Sequence, residues 1–512
     1  MPTLRSALVV VGLATLLLLA GLAPSLCAAQ QAPAALAPSV NNTTRGLKDP
    51  AELAAFLNVT LNGELASYHI PGATVAVVKD GKLFFAKGYG YADLENKTPV
   101  DANATLFEIG SVTKLFTWTA VMQLVEEGKI DLHADVNTYL PPELKIPSTY
   151  PQPVTMENLM THTAGFEEVG TDRLSVSDAK DIQPLGTVLA QTAPARVWPP
   201  GQVWSYSNWG AALAGYIVQE VSGIPFNQYV KEKIFTPLGM NNTTIEQPVP
   251  APLAENLSKT YAYKNGTFVQ TKDDIVAATP AGAIHSTSGD MAKFMIAQLQ
   301  NGTYNGARIL NTSTAQDMHR AHFTPDAYTS FGLGFFIGDQ NNESSISHGG
   351  DTTYFHSMFM LWPDSNTGLF VSYNSVGGVP AVSDLVQKFL DHYYPVTLSP
   401  PQPANFNDAP TITGTYQSTR SVYTPALKFL NPPQTVDVIG YPNGTLATST
   451  SPVRLVEVAP LVFARADGNT TSTGSYAIFT TGGNGTYLHL NAFPQYYERI
   501  TWLNYWDPLK II

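Results

Sequence analysis

At 512 residues the chain is too long for a single core of ordinary size, so a large domain joined to a smaller one is expected. Hydrophobic residues make up 44% of it and charged residues only 13%, which excludes a disordered polyelectrolyte. The formal net charge of −12 argues against nucleic acid and anionic membrane surfaces as partners.

Residues 1–29 read as a signal peptide. Arg5 precedes the apolar run ALVVVGLATLLLLAGLA, and small residues before Gln30 offer a cleavage site. The alternative is an uncleaved membrane anchor. The one cysteine, Cys27, follows Leu26, a poor fit to a bacterial lipid-anchor signal, and cleavage after Ala29 leaves a mature chain with neither disulfides nor a thiol nucleophile. Glycosylation sequons recur along the chain, for example at Asn58, Asn103, Asn256, Asn311 and Asn443. With the signal they point to a secreted or cell-surface glycoprotein.

Residues 30–47 are Ala-, Pro- and Asn-rich and read as a loose leader. The stretch 71–93 reads as two strands joined at Asp80-Gly81, a strong hairpin signal. FEIGSVTKLF (107–116) then opens an amphipathic helix with apolar residues at Leu115, Trp118, Val121, Met122 and Val125, stopped at Gly128. NWGAALAGYIVQEVSG and GDMAKFMIAQLQNG read as further helices, TGLFVSYNS as a buried strand and AVSDLVQKFLDHYY as a closing helix. Strands at both ends with helices between predict an α/β or α+β domain over 48–394 whose terminal segments share one sheet. Residues 395–410 form a Pro-rich, stiff and extended linker. Beyond it, 411–512 carries short β-type runs separated by turn signals, an all-β sandwich or small barrel. That module is expected to be releasable by cleavage in the linker.

Ser111 and Lys114, at i and i+3, project from one helix face. A buried, neutral lysine amine can take the proton of a serine hydroxyl, and the helix N-terminus favours the alkoxide. Ser177 and Lys180 share the spacing but lie in a polar stretch with no amphipathic helix behind them. Tyr206 and Asn208 precede a helix between Trp204 and Trp209, and a phenol beside a cationic lysine can ionise and relay protons. Tyr263-Lys264-Asn265 and Tyr441-Pro442-Asn443 repeat the pattern but end in sequons. His348-Gly349-Gly350 opens a strand, where glycines let a substrate carbonyl approach an edge. The plainer reading of each is a loop tyrosine and an exposed turn histidine. His162 and His285 read as structural. Asp131, His133 and Asp135 lack the glycine of a calcium loop, and no metal or cofactor is assigned.

Ser111-Val112-Thr113-Lys114, Tyr206-Ser207-Asn208 and His348-Gly349-Gly350, in this order and at these separations, resemble the serine β-lactamase and penicillin-binding-protein superfamily. Within it the chain is most similar to the class C β-lactamase-like hydrolases, the S12 peptidase group. The likeness runs from about residue 52 to 394, and the C-terminal region resembles the lipocalin-like barrel that some members append. It implies an antiparallel sheet flanked by helices, with a helical subdomain. It also implies acylation of Ser111 with Lys114 as base, proton transfer through Tyr206, and Asn208 hydrogen-bonded to Lys114 or a substrate amide. The implied oxyanion hole is the backbone N–H groups of Ser111 and Asp351.

The chain departs from the family at its third motif, where His-Gly-Gly stands for Lys-Thr-Gly. A permanent cation suited to a substrate carboxylate is missing, which sets β-lactams behind esters, amides and D-amino-acid peptides as substrates. If His348 takes the lysine's place, anionic substrates should bind better below a pH of about 6.5. The rival functional reading is a catalytically inactive binding or assembly protein that keeps the fold.

Overall fold

The computed structural model describes residues 45–500 and the short strand Ser39–Val40, leaving aside 273–274, 327, 398–400, 402, 404–405, 425–427, 429–430, 469–474, 483–484 and 492–493. The expected signal peptide, Cys27 and most of the leader lie outside the described residues, as does much of the linker.

The first hairpin forms where Asp80 and Gly81 both take positive φ, +51° and +73°. It joins β1 (Gly72–Lys79) to β2 (Lys82–Asp93). With β3 (Thr98–Pro99), β4 (Ser330–Phe331), β5 (Phe336–Gln340), β6 (Glu343–Asp351), β7 (His356–Trp362) and β8 (Thr367–Tyr373) they make an antiparallel sheet ordered β4-β5-β6-β7-β8-β1-β2-β3. The N-terminal and C-terminal strands of the domain are therefore neighbours, with Val75 opposite Val371.

Side chains of the inner strands alternate between two cores, as a period of two demands. Val75, Val77, Leu369 and Val371 face α1 (Pro50–Ser67) and α5 (Gly378–Tyr393). Ala76, Val78, Phe359, Leu361 and Phe370 face α2 (Thr113–Glu126), α3 (Asn208–Ser222) and α4 (Ser288–Leu299). α3 ends on Gly223 at φ +70°, a left-handed cap that glycine adopts without strain.

The C-terminal region is a closed eight-stranded barrel running from Gly414–Ser418 to Pro494–Ile500, and those two strands pair with each other. Tyr416, Val438, Phe463, Phe479 and Leu488 fill its interior, and the short helix Ala409–Ile412 packs into the same core. Leu446–Thr448 is one of its short strands. The barrel packs against the rest of the chain. Tyr496 packs with Trp204, Tyr206 and Phe331, Tyr423 packs on Trp198, and Asp326 pairs with His489 while both are buried. The leader is also partly tied down, since Ser39–Val40 pairs with Val396–Thr397 and Leu47 is buried. Among the described residues no helix is long and apolar enough to cross a membrane.

Candidate active site

Gly110 turns the chain at φ +51°, and one 3-10 turn over Gly110–Val112 leads into α2. Ser111 sits in that turn, one helical step before Lys114. Every residue from Thr113 to Met122 is buried, so the spacing read as a single apolar face belongs to a central helix enclosed on nearly all sides. Lys114 in consequence has no exposed surface. Its Nζ is 2.9 Å from Ser111 Oγ and donates to the Ala281 carbonyl at 2.5 Å, so both its partners are uncharged. Burial, reinforced by the positive charge of Arg420 and opposed by Glu168, pushes the amine well below the usual lysine range.

Tyr206 reaches the same serine from the segment before α3, where Ser207 caps the helix by accepting the Gly210 N–H. Its hydroxyl interacts with Ser111. Burial pushes the phenol above its usual range, with the Ser111 interaction and then Arg420 acting the other way. Burial disfavours both a cationic lysine and an ionised phenol here, because neither ion would have water around it. His162 lies 4.2 Å from the Tyr206 ring, centroid to centroid, and its Nδ1 accepts the Ser207 N–H, so it buttresses the tyrosine as a structural residue. His285 donates from Nδ1 to the Ala283 carbonyl, away from the chemistry.

The third motif forms the end of β6. The two glycines differ in what they do. A Cβ on Gly350 would lie 2.0 Å from the Ile109 carbonyl oxygen, and one on Gly110 would lie 2.8 Å from the Asp351 nitrogen. Those two positions let the strand and the serine turn touch, which brings the Asp351 nitrogen against Gly110, the residue before Ser111. Gly349 instead lines the open cavity.

That cavity, of about 890 Å³, is lined by Ser111, Tyr206, Asn208, His348, Gly349 and Asp351, with Lys114 and Gly350 behind its wall. Asn208 makes no hydrogen bond to Lys114 among the described residues, whose amine is taken by Ser111 and Ala281. Leu174, Val276, Trp204, Phe336 and Tyr496 supply apolar wall, and Arg420, from the barrel, supplies a cation. Sequence reasoning missed Arg420. Its only signal was a lone arginine in YQSTRSVY, in a region read as a separate module. The Ser177/Lys180 pair is exposed, with Lys180 bonded to Asp178 at 3.2 Å. Among the described residues no cluster of His, Cys, Asp or Glu is placed to hold a metal ion.

The family model described as "Beta-lactamase" matches residues 53–391. The chain belongs to the β-lactamase family. Relatives include Protein flp of Staphylococcus aureus (strain MRSA252), 27% identical over 337 residues, covering 66% of this chain and 64% of that protein. Another is the putative penicillin-binding protein PbpX of Bacillus subtilis (strain 168), 32% identical over 276 residues, covering 52% of this chain and 61% of that protein. The chain thus spans less than two thirds of the length of these curated relatives. Two solved structures share the fold at 21% identity. The octameric penicillin-binding protein homologue from Pyrococcus abyssi matches 87% of this chain and all of its own with a TM-score of 0.57, and SurE matches 88% and 99% with 0.62. Both likenesses extend past the family match into the barrel.

In this member of the β-lactamase family, His348 cannot stand in for the missing lysine. The ring is 1% exposed, stacks on Phe336 at 4.8 Å, and donates from Nδ1 to the Gly349 carbonyl at 2.6 Å. Burial, with Lys114 adding to it, takes its pKa down to about 3. Burial therefore weighs against the expected pH switch near 6.5, because it favours the neutral imidazole well below that pH. His348→Lys, expected from sequence to favour anionic substrates, instead places an unpaired ammonium in a dry aromatic niche. We expect it to destabilise the fold by about 3 kcal/mol or more, read as a fall in melting temperature. An unchanged melt with faster turnover of carboxylate-bearing substrates would restore the first expectation.

Proposed function

We propose that the protein is an exported serine hydrolase that acts through an acyl-enzyme on ester, amide or peptide substrates, D-amino-acid peptides included. The observation that carries this reading is the fully buried amine of Lys114, 2.9 Å from the hydroxyl of Ser111 on the floor of an open cavity, where burial lowers its pKa well below the usual lysine range. Lys114 takes the proton as Ser111 Oγ bonds to the acyl carbon. The oxygen of the tetrahedral intermediate is received by the backbone N–H groups of Ser111 and Asp351. As the bond to the leaving group breaks, the Tyr206 hydroxyl donates its proton to that group and is reprotonated from Lys114. Water then adds to the acyl carbon, giving up a proton along the same path, and the acid departs as the Ser111 hydroxyl re-forms. With His348 buried, the third motif offers no cation to a substrate carboxylate, and the cation that lines the cavity is Arg420 from the barrel.

The test is covalent labelling. An uncharged fluorophosphonate, followed by peptide mass spectrometry, should modify Ser111 and leave Ser177 untouched. An intact protein without adduct at any pH would support the inactive binding-protein reading. Export is supported by the N-terminal signal pattern and the sequons, and a glycosidase-sensitive mass shift on protein recovered outside the cell checks it.

A further inference from the structure

The barrel reaches into the site through one short loop. Thr419 Oγ1 donates to the Trp204 carbonyl at 2.8 Å, and Ser205 Oγ donates to the Thr419 carbonyl at 3.2 Å, so the loop lies on the segment that carries Tyr206. Two adjacent carboxylates of the catalytic domain hold it. Glu167 accepts the backbone N–H groups of Tyr423 and Thr424 at 2.7 and 2.8 Å. Glu168 pairs with the Nε of Arg420. The guanidinium is left 4.8 Å from the centre of the Tyr206 ring, while Lys114 Nζ lies 5.1 Å from that same centre. The Arg420 side chain keeps 43% of its surface, and it lines the cavity beside Ser111.

We infer that Arg420, delivered by the barrel, is a positioning residue of the proton relay: its fixed charge beside the Tyr206 ring keeps Lys114 in the neutral form that can accept the Ser111 proton. This rests on the hydrolase reading above. Two cations share one aromatic ring, and an arginine does not deprotonate in a protein. The repulsion is relieved only by the lysine. The other titratable groups around the pair are His162, His348, Glu168 and Asp351. Both histidines are held neutral by burial, which leaves Arg420 as the cation and Glu168 and Asp351 as the opposing charges. Burial is the largest influence on Lys114, and Arg420 acts in the same direction. A working site therefore requires the barrel to be docked.

The test uses the full chain and an uncharged fluorophosphonate, with the labelling rate of Ser111 followed against pH, so that no substrate need be known. The wild type should show an acid limb set by the protonation of Lys114. In Arg420→Gln that limb should move up by about one pH unit, with the rate recovered on the alkaline side. Arg420→Lys, which keeps the charge, should hold the wild-type limb. Glu168→Gln should move it the opposite way, to lower pH, a reversal that loosening of the loop cannot produce. An Arg420→Gln limb in the wild-type position, with only the plateau lowered, overturns the inference and leaves the residue a structural latch. Wild-type protein that never labels overturns the hydrolase reading, and this inference with it.

Discussion

Ser111→Ala is expected to lower kcat by on the order of 10³-fold or more, with little change in melting temperature. The large effect follows from removing the atom that bonds to the acyl carbon. The small one follows from the packing: Lys114 keeps its hydrogen bond to the Ala281 carbonyl, and the serine turn is held by Gly110 and Gly350, which are untouched. Ser177→Ala, at an exposed site whose neighbour Lys180 is engaged by Asp178, should stay within a few-fold of wild type. Steady-state hydrolysis of an activated ester, with thermal melts on the same preparations, measures both. Activity that survives the loss of Ser111 and disappears with Ser177 would mean that the nucleophile is misassigned.

The second large effect is on stability in acid. His285 and His319 are buried with pKa values lowered to about 4, and His348 to about 3, in each case mainly by burial. His162 is lowered in the same sense. An unfolded chain binds protons at these side chains near pH 6.5, whereas the folded protein does not until far lower. Between those values the unfolded state holds more protons, so stability falls as pH falls, by about 1.4 kcal/mol per pH unit for each histidine. Glu64 works in the opposite direction. Burial on the inner face of α1 raises it to about 7, so it is protonated in the folded protein before it would be in the unfolded chain. Counting His285, His319 and His348 against Glu64 leaves two protons, or about 2.7 kcal/mol lost per pH unit between roughly pH 6 and 4.5, and His162 adds to the loss. Against a typical total of about 5–15 kcal/mol, that brings the protein near unfolding at the lower end of this range. Guanidinium unfolding at pH 7.5, 6 and 5 should show midpoints that drop steadily below about 6. A midpoint that holds constant to pH 5 would show that these imidazoles become protonated without unfolding the chain.

The local elements were legible in the sequence because their signals are local. The Asp80-Gly81 hairpin, the helices stopped by Gly128 and Gly223, and the buried strand Thr367–Tyr373 each depend on residues a few positions apart. The serine-lysine pair was also legible, since its geometry is set by one helical turn. The three-motif order carried the family, and the repeated β-runs carried an all-β C-terminal region. What the sequence could not show is what encloses a residue. Whether α2 presents one face or none to water decides the charge of Lys114, and that depends on α3, α4 and the sheet closing around it. Whether His348 meets substrate or lies against Phe336 depends on the neighbouring strand. Arg420 stands more than 200 residues beyond Tyr206, in a region that reads as separate, and only the docking of barrel on domain brings its charge to the ring. Sequence patterning sets which residues share a turn or a face. The tertiary structure sets which of them lose their water, and with it the charges on which this site depends.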